Sequence, residues 1–141
     1  MMTNRQGKTL SVQINGPENA PAIVFSNSLG TDHGMWQPQV AALKSQYRVV
    51  TYDTRGHGQS DVIENTTLQN LGEDVIDILD ALNIEKAHFC GISMGGMTAL
   101  WLGIYQPTRF YSITVANSAA KIWTEEGWNA RADACLLYTS D

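Results

Sequence analysis

Cysteine is scarce in this sequence, with two residues in 141, Cys90 and Cys135. Two thiols so placed give neither a disulfide framework nor a metal-ligand spacing. A reducing, cytoplasmic setting is therefore expected. Cys90 lies inside an apolar run and reads as a small buried hydrophobe. Basic residues are few as well: nine Lys and Arg stand against fourteen Asp and Glu, for a net charge of −5, and they do not cluster. A nucleic-acid partner or an anionic membrane surface would require a basic face, so neither is expected. No apolar run nears the roughly 20 residues of a membrane span. The polar opening from Met1 to Lys8 lacks the apolar stretch of a secretory signal. Internal repeats, low-complexity tracts and linkers are missing, and no Gly-x-Gly-x-x-Gly follows a strand to hold a dinucleotide. One further absence bears on chemistry: no histidine follows His88.

What is present reads as one globular domain, 43% hydrophobic and 16% charged. Strand and helix patterns alternate, the signature of a mostly parallel sheet with helices on both faces. Thr9 to Ile14 alternates like a strand and ends at the turn cluster Asn15-Gly16-Pro17. Ala22-Ile23-Val24-Phe25 is a short apolar run, as in a strand buried on both sides. A Gly-bearing loop, Ser26 to Met35, precedes a helix from Trp36 to Ser45. Tyr47 to Tyr52 is the next strand. From Thr67 to Leu82, apolar residues recur at three- and four-residue steps and predict an amphipathic helix. Ala87 to Cys90 is a strand, Met94 to Tyr105 a helix stopped by Pro107, and Tyr111 to Ala116 another strand.

Between the strand ending at Cys90 and the helix from Met94 lies Gly91-Ile92-Ser93-Met94-Gly95. This fits the Gly-x-Ser-x-Gly pattern of a nucleophile elbow. Ser93 must occupy a sharp turn that lifts its hydroxyl from the top of the sheet. The residues two before and two after it then press on backbone, which suits Gly91 and Gly95; Gly96 lets the helix pack close to the sheet. The helix N-terminus beneath Ser93 offers free N–H groups and a positive dipole end for a developing oxyanion. One oxyanion N–H is expected from Met94 and the other from the Ser26–Gly30 loop, with Leu29 the candidate. The alternative is a Gly-rich turn with an incidental serine. Asp53-Thr54-Arg55-Gly56-His57-Gly58-Gln59-Ser60 groups Asp, His and Ser, yet triad partners in this arrangement follow the serine in the chain. It reads as structural, with an Asp53–Arg55 pair bracing a tight turn. His88, in a strand, reads as a structural histidine.

Together these segments resemble the α/β-hydrolase superfamily, and within it the 3-oxoadipate enol-lactonases. The resemblance is carried by Asn27 to Asp32 with Met35-Trp36, by Tyr52 to Gly58, and by His88 to Met97. Asn117-Ser118-Ala119-Ala120-Lys121-Ile122 and Trp128-Asn129-Ala130-Arg131 point to the subfamily in particular. It covers nearly everything from about Gln6 to Asp133. The resemblance implies hydrolysis of a small-molecule lactone or ester in aromatic catabolism, with no metal or organic cofactor needed. Ser93 would attack the lactone carbonyl, the Leu29 and Met94 amides would hold the oxyanion, and water would clear the acyl-enzyme. The substrate's free carboxylate calls for a cation, for which Lys121 and Arg131 are candidates. Trp36 and Trp128 are further candidate substrate contacts.

The departure from the family is a matter of extent. The chain reaches about the sixth strand of the fold and the start of the cap, so the rest of the cap, the last two strands, and the acid and histidine of the triad are expected to be missing. Residues 1–134 read as the N-terminal part of one domain. Cys135 to Asp141 reads as one frame of a common transposase sequencing adapter, hence as a foreign tail. Three readings stay open: an enol-lactonase, another serine hydrolase of this fold (an esterase or cofactor-free perhydrolase), and a non-catalytic remnant.

Overall fold

The computed structural model describes residues 1–139. Among the described residues seven strands form, five of them in one sheet: β3 (Val12–Asn15), β5 (Arg48–Tyr52), β4 (Ala22–Ser26), β6 (Ala87–Ile92) and β7 (Phe110–Ala116), in that spatial order. β4, β5, β6 and β7 run parallel, and β3 is antiparallel to β5. β1 (Met2–Thr3) and β2 (Thr9–Leu10) make a separate antiparallel pair. The single strand expected from Thr9 to Ile14 is thus two strands in two sheets. The break falls at Ser11, which is buried, donates its N–H to Ser60 Oγ at 2.9 Å and accepts from the Asp53 amide. Alternation alone could not show it, because the polarity pattern continues across the break.

Each sheet face packs its own helices. On one face, Val24, Val50, Tyr52, Ala87 and Phe89 meet α2 (Leu68–Ala81) and α3 (Met94–Tyr105) through Val75, Ile78, Leu79, Ala99 and Leu102. On the other, Phe25 and Val49 meet Trp36 of a 3-10 turn (His33–Trp36) and Val40 of α1 (Gln37–Leu43). Burying one such aliphatic or aromatic side chain stabilises by roughly 1.5–3 kcal/mol, so these two clusters fix the register of all four parallel strands. α2 begins where expected because Thr67 and Asn70 form a reciprocal capping box, and it stops at Asn83, which adopts the left-handed conformation (φ 54°). A fourth helix, α4 (Glu125–Thr139), occupies the stretch expected to open the cap. The expected foreign tail falls partly within it; its residues 140 and 141 lie outside the described residues.

Two features of the sheet bear on function. The winding changes side at β4, with β5 on one flank and β6 on the other, and in open α/β sheets such a reversal opens a crevice at the carboxyl ends of the strands. At the far side, among the described residues nothing pairs with the outer edge of β7, where Tyr111 and Val115 are exposed. Tyr111 is the extra residue of a bulge, since Ala87 pairs with Phe110 and His88 with Ser112. Among the described residues no helix is long and apolar enough to cross a membrane.

Candidate functional site

Ser93 stands between β6 and α3 with φ 54° and ψ −112°, a sparsely populated positive-φ conformation that costs a non-glycine residue about 1–3 kcal/mol. The surroundings hold it there. Its N–H donates to the Ala116 carbonyl at 3.0 Å, and its own carbonyl accepts from Ser118 Oγ at 2.7 Å and from the Met97 amide at 3.1 Å. The end of β7 therefore grips the elbow from one side. The flanking glycines are dictated by close approach: a Cβ on Gly91 would strike the Gly95 carbonyl, and one on Gly95 would strike the Ser26 carbonyl. Gly96 faces Ser118. The hydroxyl of Ser93 is half-buried and makes no hydrogen bond among the described residues.

The loop after β4 reaches the elbow through Asn27. This fully buried residue accepts the Gly95 amide on its backbone carbonyl at 3.0 Å, while its side chain donates to the Tyr52 carbonyl at 2.9 Å and accepts from Trp36 Nε1 at 2.8 Å. One residue thus joins three elements, its side chain linking β5 to the 3-10 turn and its backbone carbonyl reaching α3. Motif matching does not give Asn27 a role of its own; a polar residue directly after a buried strand run and before a Gly-bearing loop is the available signal. Alongside it, Ser26 Oγ and Tyr52 Oη lie 2.7 Å apart, and burial pushes the Tyr52 phenol far above its usual value.

Ser28 to Thr31 form a turn closed by the Thr31 amide on the Ser28 carbonyl at 3.4 Å, with Gly30 at φ 80° in its third position, the left-handed place that a type II turn reserves for glycine. Thr31 Oγ1 donates to the same carbonyl at 2.8 Å. Among the described residues, neither the Leu29 nor the Met94 amide has an acceptor. Met94 stands at the first position of α3, where no intrahelical bond is possible for its amide.

The polar turn after β5 differs from the expected arrangement. Asp53 and Arg55 do not pair. Arg55 forms a two-pronged ion pair with Asp74 of α2, Nε to Oδ2 and Nη2 to Oδ1, each 2.8 Å, with both residues buried. Asn4 donates to Asp74 Oδ1 and Gln6 Oε1 accepts from Arg55 Nη2, both at 2.8 Å. Asp53 is buried too, and its carboxylate accepts from the His33 amide at 2.8 Å and the Gln59 amide at 2.9 Å, with His33 Nδ1 at 2.8 Å. Burial would raise the Asp53 pKa, but the donors from Gln59 and His33 outweigh it and hold the carboxyl below its usual range. The physical reason for the correction is that His33 and Gln59 take up the Asp53 carboxylate, while α2 presents Asp74 for a two-pronged contact with the planar guanidinium.

The remaining candidates scatter. Trp36 is turned inward, 6% exposed, its ring 4.5 Å from that of Phe25, and packing the Asn27 junction uses both ring and N–H. Trp128 donates Nε1 to the Ile122 carbonyl at 2.7 Å and stacks edge-on with Trp123, while the Arg131 guanidinium lies 5.5 Å above its ring. Lys121 is exposed. The histidines are all occupied away from Ser93: His33 with Asp53, His57 with the Gly30 amide and the Arg55 carbonyl, and His88 Nδ1 with Ser112 Oγ at 2.7 Å. Cys90 is only partly buried, and that burial raises its thiol pKa. Among the described residues no three His, Cys, Asp or Glu side chains group as metal ligands.

Comparison with known proteins agrees with this geometry. A family model described as the alpha/beta hydrolase fold matches residues 21–133. The chain is 95% identical over 134 residues to 3-oxoadipate enol-lactonase 1 of Acinetobacter baylyi, covering 95% of this chain and 50% of that protein. It superposes on the crystal structure of the enol-lactonase from Burkholderia xenovorans LB400 with TM-score 0.87 and 46% identity, covering 90% of this chain and 50% of that one. A hydrolase from Pseudomonas aeruginosa PA01 gives TM-score 0.91 at 39% identity, covering 96% and 51%. The chain spans about half the length of the curated relatives it matches. On its sheet, its elbow and these matches, the chain belongs to the α/β-hydrolase fold family.

Proposed function

We propose that this chain carries the nucleophile and oxyanion half of a carboxylic-ester hydrolase that opens 3-oxoadipate enol-lactone. The observation that carries the reading is Ser93, a positive-φ serine at a strand-to-helix junction, its hydroxyl unclaimed above the N-terminus of α3. The 95% identity to a curated enol-lactonase selects the lactone within the family. In the reaction, Ser93 Oγ adds to the lactone carbonyl and its proton passes to a base. The oxyanion is received by the Leu29 and Met94 amides. The ring C–O bond breaks, the enol oxygen leaves and is protonated, and the enol ketonises. Water then attacks the acyl-enzyme and restores Ser93. Lys121 and Arg131 are the candidates for meeting the substrate carboxylate, with Trp128 beside Arg131.

No histidine among the described residues reaches Ser93, and serine without a base is a weak nucleophile. The 141-residue chain alone is accordingly a negligible catalyst. We infer that the remaining machinery belongs to the half of the relatives' length that this chain does not span. We also infer that residues 135–141 are not native sequence, a reading supported by the 134-residue extent of the match; sequencing the source DNA across the Ala134 codon tests it. Cytoplasmic placement is supported only by the low cysteine content.

The test joins residues 1–134 to the second half of the Acinetobacter baylyi relative and compares kcat/KM for the enol-lactone with that for simple aryl esters. The lactone is expected to be favoured strongly; a preference for aryl esters would make the parent a general esterase. Ser93→Ala should abolish both activities.

A further inference from the structure

We propose that His57 is a positioning residue for acyl transfer at Ser93: its imidazole ties the Ser28–Thr31 turn to the Gly-rich turn after β5 and thereby sets the direction of the Leu29 N–H. The inference rests on the reading of Ser93 as a hydrolase nucleophile and adds a residue to it.

His57 Nε2 accepts the Gly30 amide at 2.9 Å, and Nδ1 lies 3.1 Å from the Arg55 carbonyl. A carbonyl can only accept, so Nδ1 carries the proton, and Nε2 presents its lone pair to Gly30. Both ring nitrogens are used. The consequence for Leu29 comes from peptide planarity. The Leu29–Gly30 peptide is fixed by the Gly30 N–H held on His57. The Ser28–Leu29 peptide is fixed at its other end, because the Ser28 carbonyl is held inside the turn by Thr31 N and Thr31 Oγ1. In a trans peptide the N–H points opposite to the C=O, so the Leu29 N–H is turned out of the hairpin of chain, with no acceptor among the described residues. Two anchored planes flank one free donor. His57 is in turn held by Arg55, whose guanidinium is locked to Asp74 of α2, so the orientation of the loop is referred to the body of the fold.

A loop donor that must meet an oxyanion tolerates little misplacement, and an error of about 1 Å can cost about 10²-fold in rate. Two substitutions separate positioning from mere stability. In His57→Gln the side-chain oxygen can reach the Nε2 position and still accept from Gly30. In His57→Asn the amide reaches only the Nδ1 position and can keep the Arg55 contact while releasing Gly30. In residues 1–134 joined to the second half of the Acinetobacter baylyi relative, His57→Asn is expected to lose about 10–100-fold in kcat with KM nearly unchanged, and His57→Gln to recover most of that loss. Both the lactone and an activated aryl ester serve as substrates. Failure on the lactone alone would remove the lactonase reading, while the ester would still report on His57. Hydrogen exchange at the Gly30 amide, followed by NMR in any folded variant, gives a readout independent of activity: protection should fall in His57→Asn and return in His57→Gln. Equal kcat for the two variants, or Gly30 exchange indifferent to both, would overturn the proposal.

Discussion

The Arg55–Asp74 ion pair offers the sharpest quantitative test of how this fold is braced. Both residues are buried, 5% and 3% exposed. Arg55→Met would leave the Asp74 carboxylate in the interior with Asn4 as its remaining side-chain donor, and orphaning one member of a buried pair costs about 3–5 kcal/mol. Asp74→Leu would strand the guanidinium on Gln6 and a 3.4 Å contact to Thr66, at a similar cost. Added independently, the two changes would cost about 6–10 kcal/mol, comparable to the roughly 5–15 kcal/mol by which domains are stable at all. The double substitution removes both charges and leaves chiefly Asn4 without its partner, about 1–3 kcal/mol. The cycle should therefore show a coupling of about 3 kcal/mol or more. Urea unfolding followed by tryptophan fluorescence reads this out: with a slope of about 1–3 kcal/mol/M, each single change moves the midpoint by about 1–3 M or more. Arg55→Lys keeps the charge and loses the fork, and should fall between. Single changes that shift the midpoint by less than about 0.5 M, or a double that equals their sum, would refute the reasoning.

Two further outcomes are expected of the site. Ser93→Gly removes the positive-φ penalty and should raise stability by about 1 kcal/mol while eliminating acyl transfer; a variant less stable than the parent would mean that φ 54° is not strained. Asp53, held below the usual aspartate value of 3.8, stabilises the fold at neutral pH and loses that contribution as pH falls through its folded value. The stability gap between the parent and Asp53→Asn should therefore hold at neutral pH and narrow as pH falls through 3.8 and below, and a gap that is constant or widens would show that the carboxylate is not preferentially ionised in the folded state.

Elements with a strong local cause are legible in the sequence. α2 is, because its apolar steps and its Thr67 cap act within one helix; so is the Ser93 elbow, because its glycines lie within two residues of the serine. What escapes is non-local. The break at Ser11 depends on Ser60 and Asp53, and the true partner of Arg55 lies 19 residues away. The burial of Trp36 against Phe25, with its indole N–H on Asn27, is likewise set across the fold. Polar residues choose partners by shape and burial across the fold, and periodicity carries no record of that choice.

The bare outer edge of β7 brings mass action into the behaviour of this chain. Its backbone donors and acceptors, with Tyr111 and Val115 beside them, can be satisfied by any extended segment laid alongside. A segment that binds there recognises the folded sheet and has nothing to bind in the unfolded chain, so it stabilises by an amount that grows with its concentration. A second-half segment in the same polypeptide is present at a fixed, high effective concentration, whereas one added in trans must be supplied. The melting temperature of residues 1–141 is in this sense a titration curve, and its value belongs to the mixture in which it is measured.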